Sequence, residues 1–221
     1  MLNKTYLVTA GPTHEKIDPV RYIGNYSSGK MGFAIAERLA NLGAKVILIT
    51  GPVSLHCDNP AILRIDITSA LEMYSQCHHY FPQCNGAIMV AAVADFAPVI
   101  IDNQKIKRTS ENLILELHPN PDIAASLGQI KRKDQILVGF ALETSNDELK
   151  AMGKLHSKNL DLIVLNSLND KGSGFQHDTN QIRILNKSGV IFTSGLKQKM
   201  AIAVDIVDKM IETEDFISGL S

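Results

Sequence analysis

A doubly wound, mostly parallel α/β sheet with a projecting arm or hairpin is the fold class this sequence predicts. Short, nearly continuous apolar runs recur at Tyr6–Ala10, Lys45–Thr50, Gly86–Ala92, Gln135–Ala141 and Leu160–Leu165. Strands buried on both faces of a parallel sheet read this way. Stretches with helical spacing of apolar residues lie between them. That alternation of strand and helix is the pattern of a Rossmann-like architecture. The 221 residues suit a single domain, 1–221, with a sizeable core.

The elements follow in order. Lys4–Ala10 has strand composition and ends in small residues, and Gly11–Gly24 reads as a polar loop. Lys30–Leu42 carries Met31, Phe33, Ile35, Leu39 and Leu42 near helical spacing, and Gly43 stops it. Lys45–Thr50 is bounded by Gly43 and Gly51-Pro52, completing a strand–helix–strand unit with a right-handed crossover. Ile62–Asp66 is a short strand. Ser69–Tyr80 is a helix capped by Thr68 or Ser69 with Glu72 near its start. Gly86–Ala92 is a strong strand running into Asp95. Phe96–Glu116 is less regular and reads as the arm, with Lys105–Arg108 and then Leu113–Leu117 along it. Asn120-Pro121-Asp122 opens a helix through about Gln129, with proline in its first turn. Gln135–Ala141 is a strand ending at Glu143-Thr144, Asn146–Ser157 a helix, and Leu160–Leu165 a strand ending at Asn166. Ile182–Leu185 and Val190–Phe192 form a hairpin through Asn186–Gly189, and Leu196–Ile211 is a terminal helix.

Composition narrows the function. Hydrophobic residues make up 45% and the formal net charge is −1, so no global field draws nucleic acid or acidic membranes. No apolar run approaches bilayer length, and the N-terminus lacks a signal-peptide pattern, so the expected location is cytoplasmic. The three cysteines include no Cys-x-x-Cys pair and read as reduced thiols. The Cys77-His78-His79…Cys84 stretch matches no standard zinc spacing.

The most informative segment is Asn25-Tyr-Ser-Ser-Gly-Lys-Met-Gly32. A Ser27-Ser28-Gly29-Lys30 turn at a helix start offers free N–H groups, two hydroxyls and a cation, the equipment for holding phosphate. It is neither a Walker A loop nor a dinucleotide fingerprint. An ordinary helix cap is the alternative. Arg21 offers a bidentate grip on a carboxylate or phosphate, or a surface ion pair. Asn25 beside the turn can act as an oxyanion-type donor or simply as a turn residue. Ala91-Ala92-Val93-Ala94-Asp95 puts small side chains at a strand end before a carboxylate, which allows a flat base or sugar close approach. Asp95 can meet ribose or a hydrated Mg²⁺, or cap a helix. Lys105 and Lys107 share one face of an extended segment. Lys154 and Lys158 share a helix face, where like charges repel unless an anion lies near. Gly172-Ser173-Gly174-Phe175, with Asp178 and Asn180, reads as a lid or a plain connection. The scattered histidines and the absence of a nucleophile elbow give no case for a triad. A dehydrogenase would need an acidic residue after the second strand, where Thr50-Gly51-Pro52 stands instead.

In combination these segments resemble the phosphopantothenate–cysteine ligase family, bacterial type, across nearly the whole chain. The resemblance rests on Thr9–Thr13, Ile17–Ile23, Asn25–Gly32, Gly51–Val53, Ala91–Asp95, Lys105–Lys107, Asn120–Ile123, Val138–Ala141, Glu143-Thr144, Lys158–Asp161 and Gly174-Phe175. It departs at Pro12, Tyr26 and Leu142, where the family often has Gly, His and Ala. The resemblance implies a ligase of coenzyme A biosynthesis. The carboxylate of 4′-phosphopantothenate would attack the α-phosphate of CTP, with ATP the alternative, and release pyrophosphate. The amine of L-cysteine would then displace the nucleotide from the acyl-cytidylate. Asn25, Lys105, Arg21 and Ala92 match the family's catalytic positions. Ser28, Ala91, Asp95, Lys105, Pro121, Asp122, Ile123, Ala124, Phe140, Lys154 and Lys158 are the nucleotide-site matches. The resemblance further implies Mg²⁺ with the triphosphate, a homodimer using the arm, and a phosphopantothenoylcysteine decarboxylase as a fused or separate neighbour.

Overall fold

The structure, a computed structural model, describes residues 1–108, 110–143, 147–167 and 178–219. The expected strand end at Thr144, the expected helix start at Asn146 and the lid or connection at Gly172–Phe175 lie outside them. The strands are β1 (Thr5–Ala10), β2 (His14–Asp18), β3 (Arg21–Gly24), β4 (Lys45–Thr50), β5 (Ile62–Asp66), β6 (Gly86–Met89), β7 (Phe96–Pro98), β8 (Leu117–Pro119), β9 (Ile136–Glu143), β10 (Leu162–Ser167), β11 (Thr179–Asn180), β12 (Ile182–Asn186), β13 (Gly189–Thr193) and β14 (Lys197–Gln198). The helices are α1 (Lys30–Asn41), α2 (Ala70–Tyr80), α3 (Ile123–Ile130), α4 (Asp147–Ser157) and α5 (Lys199–Gly219).

Eight strands form one sheet in the order β13-β12-β10-β9-β6-β1-β4-β5. The six from β10 to β5 pair in parallel, and β12 and β13 add an antiparallel edge. This is the doubly wound, Rossmann-like α/β fold that the apolar runs predict. From β1 the chain winds one way through β4 and β5, then the other way through β6, β9 and β10. The direction therefore switches between β1 and β6, and ligands of open α/β sheets bind beyond the strand ends at such a point.

Alternation of side chains divides the core in two. Tyr6, Val8, Val46, Leu48, Ile136, Val138, Leu162 and Val164 pack against α1 and α5. Leu7, Ile47, Ile49, Leu137, Ile163 and Leu165 pack on the other face, against Met73 and Cys77 of α2, Leu127 of α3 and Leu155 of α4. Cys77 and Cys84 are buried in that second layer, and burial raises both thiol pKa values. For Cys84 the value is pushed up to about 11, with Arg132 opposing the rise. His78 meets Ser126 through Nε2 at 2.9 Å and packs on the Tyr74 ring.

Several elements differ from the sequence reading. The expected polar loop after β1 contains the β2–β3 hairpin. β6 stops at Met89 rather than Ala92. The α3 helix starts after Asp122, whose carboxylate accepts the Ala125 N–H at 3.0 Å, so Asn120 and Pro121 precede the cap. The terminal helix starts at Lys199 and continues to Gly219. Its last turns stay attached because Glu214, 3% exposed, accepts from the Tyr6 hydroxyl at 2.6 Å and pairs with Lys4 at 2.9 Å. Replacing Tyr6 with Phe removes one charge-assisted bond from a buried carboxylate. It should lower unfolding free energy by about 2 kcal/mol in urea titrations, and unchanged stability would show that the clasp contributes nothing.

Candidate nucleotide and anion site

Two cavities adjoin at the switch point. The larger encloses about 700 Å³ and is lined by Asn25, Ala91–Phe96, Pro119–Ala124, Gly139–Leu142, Lys154 and Lys158, among others. The smaller, about 70 Å³, is lined by Gly11, Ser27–Gly32, Val90, Phe140, Asn166, Asn180 and Lys199. Phe140 lines both. The structure thus brings Asn25, Ala91, Ala92, Asp95, Pro121, Asp122, Ile123, Ala124, Phe140, Lys154 and Lys158 to one cavity, and Ser28 to its neighbour.

The small cavity is built by two glycines. Gly11, after β1, and Gly29, at the N-cap of α1, both have left-handed backbones, with φ of 73° and 77°. A Cβ on Gly29 would meet Val53 at 3.0 Å and Gly11 Cα at 3.5 Å, so both the conformation and the close approach favour glycine here. Gly29 has no side chain to fill this end of the helix, which suits an anion there, and its N–H donates to Ser27 Oγ at 3.3 Å. Lys30 pairs with Asp178, and Lys199 is buried at 9% exposure. Burial lowers the pKa of Lys199, neighbouring Lys30 lowers it further, and Asp178 opposes both. Among the described residues, the buried Asn166 Oδ1 has no hydrogen-bond partner. That lone acceptor suits an N–H or O–H group of a ligand.

The wall of the large cavity is an irregular strap, Val90–Asp95, held by surrounding residues. Thr9 Oγ1 accepts the N–H groups of Val90 and Ala91 at 3.0 and 3.2 Å, which diverts the chain out of β6. Gly11 carbonyl accepts from Ala92, and Thr13 Oγ1 accepts from Ala94 at 3.0 Å. Asn25 Nδ2 donates to the carbonyls of Ala92 and Val93, both at 3.1 Å. Its amide hydrogens, expected from sequence to meet an acyl oxygen, thus hold the strap, and Oδ1 is the atom it can offer to a ligand. Across the cavity, Lys158 pairs with Asp122 at 2.8 Å. Burial pushes the Asp122 carboxyl up, but the Lys158 ammonium and the Ala125 N–H outweigh it and hold the pKa below its ordinary value.

Arg21 and Lys105 line neither cavity. Arg21 grips Asp18 and donates to the Ile106 carbonyl at 3.0 Å. Asp18 also accepts the backbone N–H groups of Val20, Arg21 and Ile106. The ion-pair alternative is thus the arrangement seen, and the pair stitches the arm to the β2–β3 hairpin. Lys105 is exposed on that arm, one residue from the stitch.

Comparison with known proteins decides the family. The model of the DNA/pantothenate metabolism flavoprotein C-terminal domain matches residues 1–213. The chain belongs to this family. The bifunctional coenzyme A biosynthesis protein CoaBC of Bacillus subtilis (strain 168) is 44% identical over 209 residues, covering 94% of the chain and 51% of that protein. A cysteine/cysteine sulfinic acid decarboxylase of an unknown prokaryotic organism is 50% identical over 204 residues, covering 92% of the chain and 57% of that protein. The crystal structure of the C-terminal domain of a CoaBC protein superposes with a TM-score of 0.82 at 36% identity, covering 97% of the chain and 99% of that domain. The chain spans about half the length of these curated relatives. The family membership agrees with the resemblance read from the motifs.

The sequence motifs include Thr9, Thr13 and Asp18, but sequence reasoning missed the hydrogen bonds through which they frame the strap and the arm. The available signal was threonine, rather than an aliphatic residue, at the end of an apolar run. The Arg21 guanidinium, foremost among its partners, holds the Asp18 carboxyl below the ordinary carboxylate range. A depressed folded pKa gives stability that is present above the unfolded value and lost as pH falls through the folded one. The clasp should therefore persist at neutral pH and fail only in strong acid. Replacing Asp18 with Asn should speed tryptic cleavage after Lys105, Lys107 and Arg108 several-fold at pH 7.5, read by mass spectrometry. An unchanged cleavage rate would mean that Asp18 does not restrain the arm.

Proposed function

We propose that the chain carries phosphopantothenate–cysteine ligase activity: it activates 4′-phosphopantothenate with CTP and joins the acyl group to L-cysteine. The carrying observation is the pair of cavities meeting at Phe140, one roomy enough for a nucleoside, the other an anion-sized nest. The wide cavity takes the nucleotide. Small strap residues admit the base or sugar, and Lys154 and Lys158 face the phosphates. The Ser27–Lys30 turn takes a further phosphate, with Asn166 Oδ1 ready for a donor on the same ligand. Family membership and the names of the CoaBC relatives support this reading.

In the first half-reaction the pantothenate carboxylate oxygen bonds to the α-phosphorus as the bond to pyrophosphate breaks. Lys105 is assigned to charge on the transferring phosphate. In the second, the cysteine nitrogen bonds to the acyl carbon, the bond to CMP breaks and the amine loses a proton. With its Nδ2 on the strap, Asn25 offers Oδ1, an acceptor suited to that amine, while Ala92 lies at the carbonyl that Nδ2 holds. Asp95, an exposed carboxylate on the wall, fits a Mg²⁺ carried mainly by phosphates and water. Such an ion would offset charge on the departing pyrophosphate.

Lys105 stands on the arm rather than at the cavity, so we assign it to a site completed across a homodimer. The arm and hairpin expose a run of apolar side chains, with Ile100 at 75% and Ile114 at 88%. Such a patch suits a second copy. Light scattering should give a dimer, and Ile100→Asp with Ile114→Asp should shift it to monomer. A mass unchanged by these substitutions would place the contact elsewhere.

Pyrophosphate release should require 4′-phosphopantothenate, run faster with CTP than with ATP, and yield amide only with cysteine. Lys105→Gln should slow that release on the order of 10²-fold. Release independent of the pantothenate substrate would refute the ligase reading. Carbon dioxide from cysteine without nucleotide would favour the activity named for the 50% identical relative.

A further inference from the structure

The strap forming the nucleotide wall has almost no strand to pair with. Among the described residues it has one bridge, between Pro12 and Ala92, and its other polar groups must be met another way. At the Ala94–Asp95 end two side chains do this. Thr13, fully buried, accepts the Ala94 N–H at 3.0 Å. Asn120 Nδ2 donates to the Ala94 carbonyl at 2.9 Å. Asn120 also donates its backbone N–H to the Asp95 carbonyl at 2.8 Å. Residue 94 is thus held on both sides, and Asn120 is followed directly by Pro121–Ala124, the facing wall of the cavity.

We propose that Thr13 and Asn120 are positioning residues for the nucleotide, acting through the strap to fix the gap between its two walls. The inference rests on the nucleotide reading of the cavity. Neither side chain needs to touch the reacting atoms. Thr13 is closed off from solvent, and the Asn120 amide nitrogen is engaged with the strap. Replacing Thr13 with Val keeps the shape but leaves a buried N–H unmet, so the strap must shift to reach a new partner. Replacing it with Ser keeps the acceptor. Asn120→Ala frees the Ala94 carbonyl and loosens the tie between the walls, leaving the backbone bond to Asp95.

The test is calorimetric binding of CTP and of ATP, with Mg²⁺, to the full chain, alongside thermal melting. Turnover is not needed. Thr13→Val and Asn120→Ala should each weaken CTP binding about tenfold, and Thr13→Ser should restore it to within about twofold. Because both act on one peptide segment, the double variant should weaken binding by less than the product of the singles. Inorganic phosphate binding at the Ser27–Lys30 turn should stay unchanged in all variants. Equal CTP affinity in the wild type and all variants would overturn the positioning role. So would a loss of phosphate binding in parallel with CTP binding and melting temperature, since that marks general damage. If the wild type binds neither nucleotide, the nucleotide reading fails and this inference falls with it. If the wild type binds CTP and the variants weaken as stated without any ligation, the positioning role stands and only the ligase reading fails.

Discussion

Parallel pairing of β1 with β6, and its loss of regularity after Met89, is the constraint on which the site depends. Up to Thr9 and Met89 the two strands satisfy each other's backbone groups. Beyond that point regular pairing gives way to one bridge and to side-chain bonds from Thr9 and Thr13, and the strap faces Pro119–Ala124 across the cavity. The chain there still has to find partners for its N–H and C=O groups, because an unmet buried group costs about as much as several ordinary hydrogen bonds contribute. Threonines at the end of β1 and asparagines from neighbouring loops meet that demand. Their side chains consequently determine where the cavity wall lies.

The same division of labour runs through the rest of the molecule. The sheet and its two apolar layers give rigidity, with Tyr6 and Val8 facing α1 and α5 while Leu7 faces α2 and α3. Polar clasps then attach what the core does not reach. Glu214 secures the last turns of α5, Asp18 holds the arm to the β2–β3 hairpin, and Asp161 accepts the Leu137 N–H at 2.7 Å while pairing with Lys131. Glu214, Asp18 and the partly buried Asp161 each have both a cation and hydrogen-bond donors, the condition under which burial of charge is tolerated.

This division explains what could be read from the sequence. Strands buried on both faces announce themselves as apolar runs, and β1, β4, β9 and β10 lie where those runs fall. Helix α2 shows its capping box in Ser69 and Glu72. The β2 strand, His-Glu-Lys-Ile-Asp, resembles a loop because its inward residues are acids, Glu15 bonded to the Ala70 N–H and Asp18 to Arg21. β7 and β8 have three residues each, too few to display a period. The end of β6 was overrun because alanines fit strand and strap alike, and only Thr9, 81 residues away in sequence, decides between them. α5 runs on through Glu212–Asp215, polar residues that look like an ending until Tyr6 is seen facing them. The cavity residues were legible as short motifs in order, whereas their framework, made of contacts distant in sequence, was not.

The raised thiols of Cys77 and Cys84 have a consequence for encounters with small disulfides. Thiolates, not thiols, exchange with disulfides, and burial keeps these two protonated at neutral pH. Cys57 is shifted the same way, by burial first. In a medium rich in small disulfides, the buried Cys77 and Cys84 would therefore exchange slowly and stay free of mixed adducts.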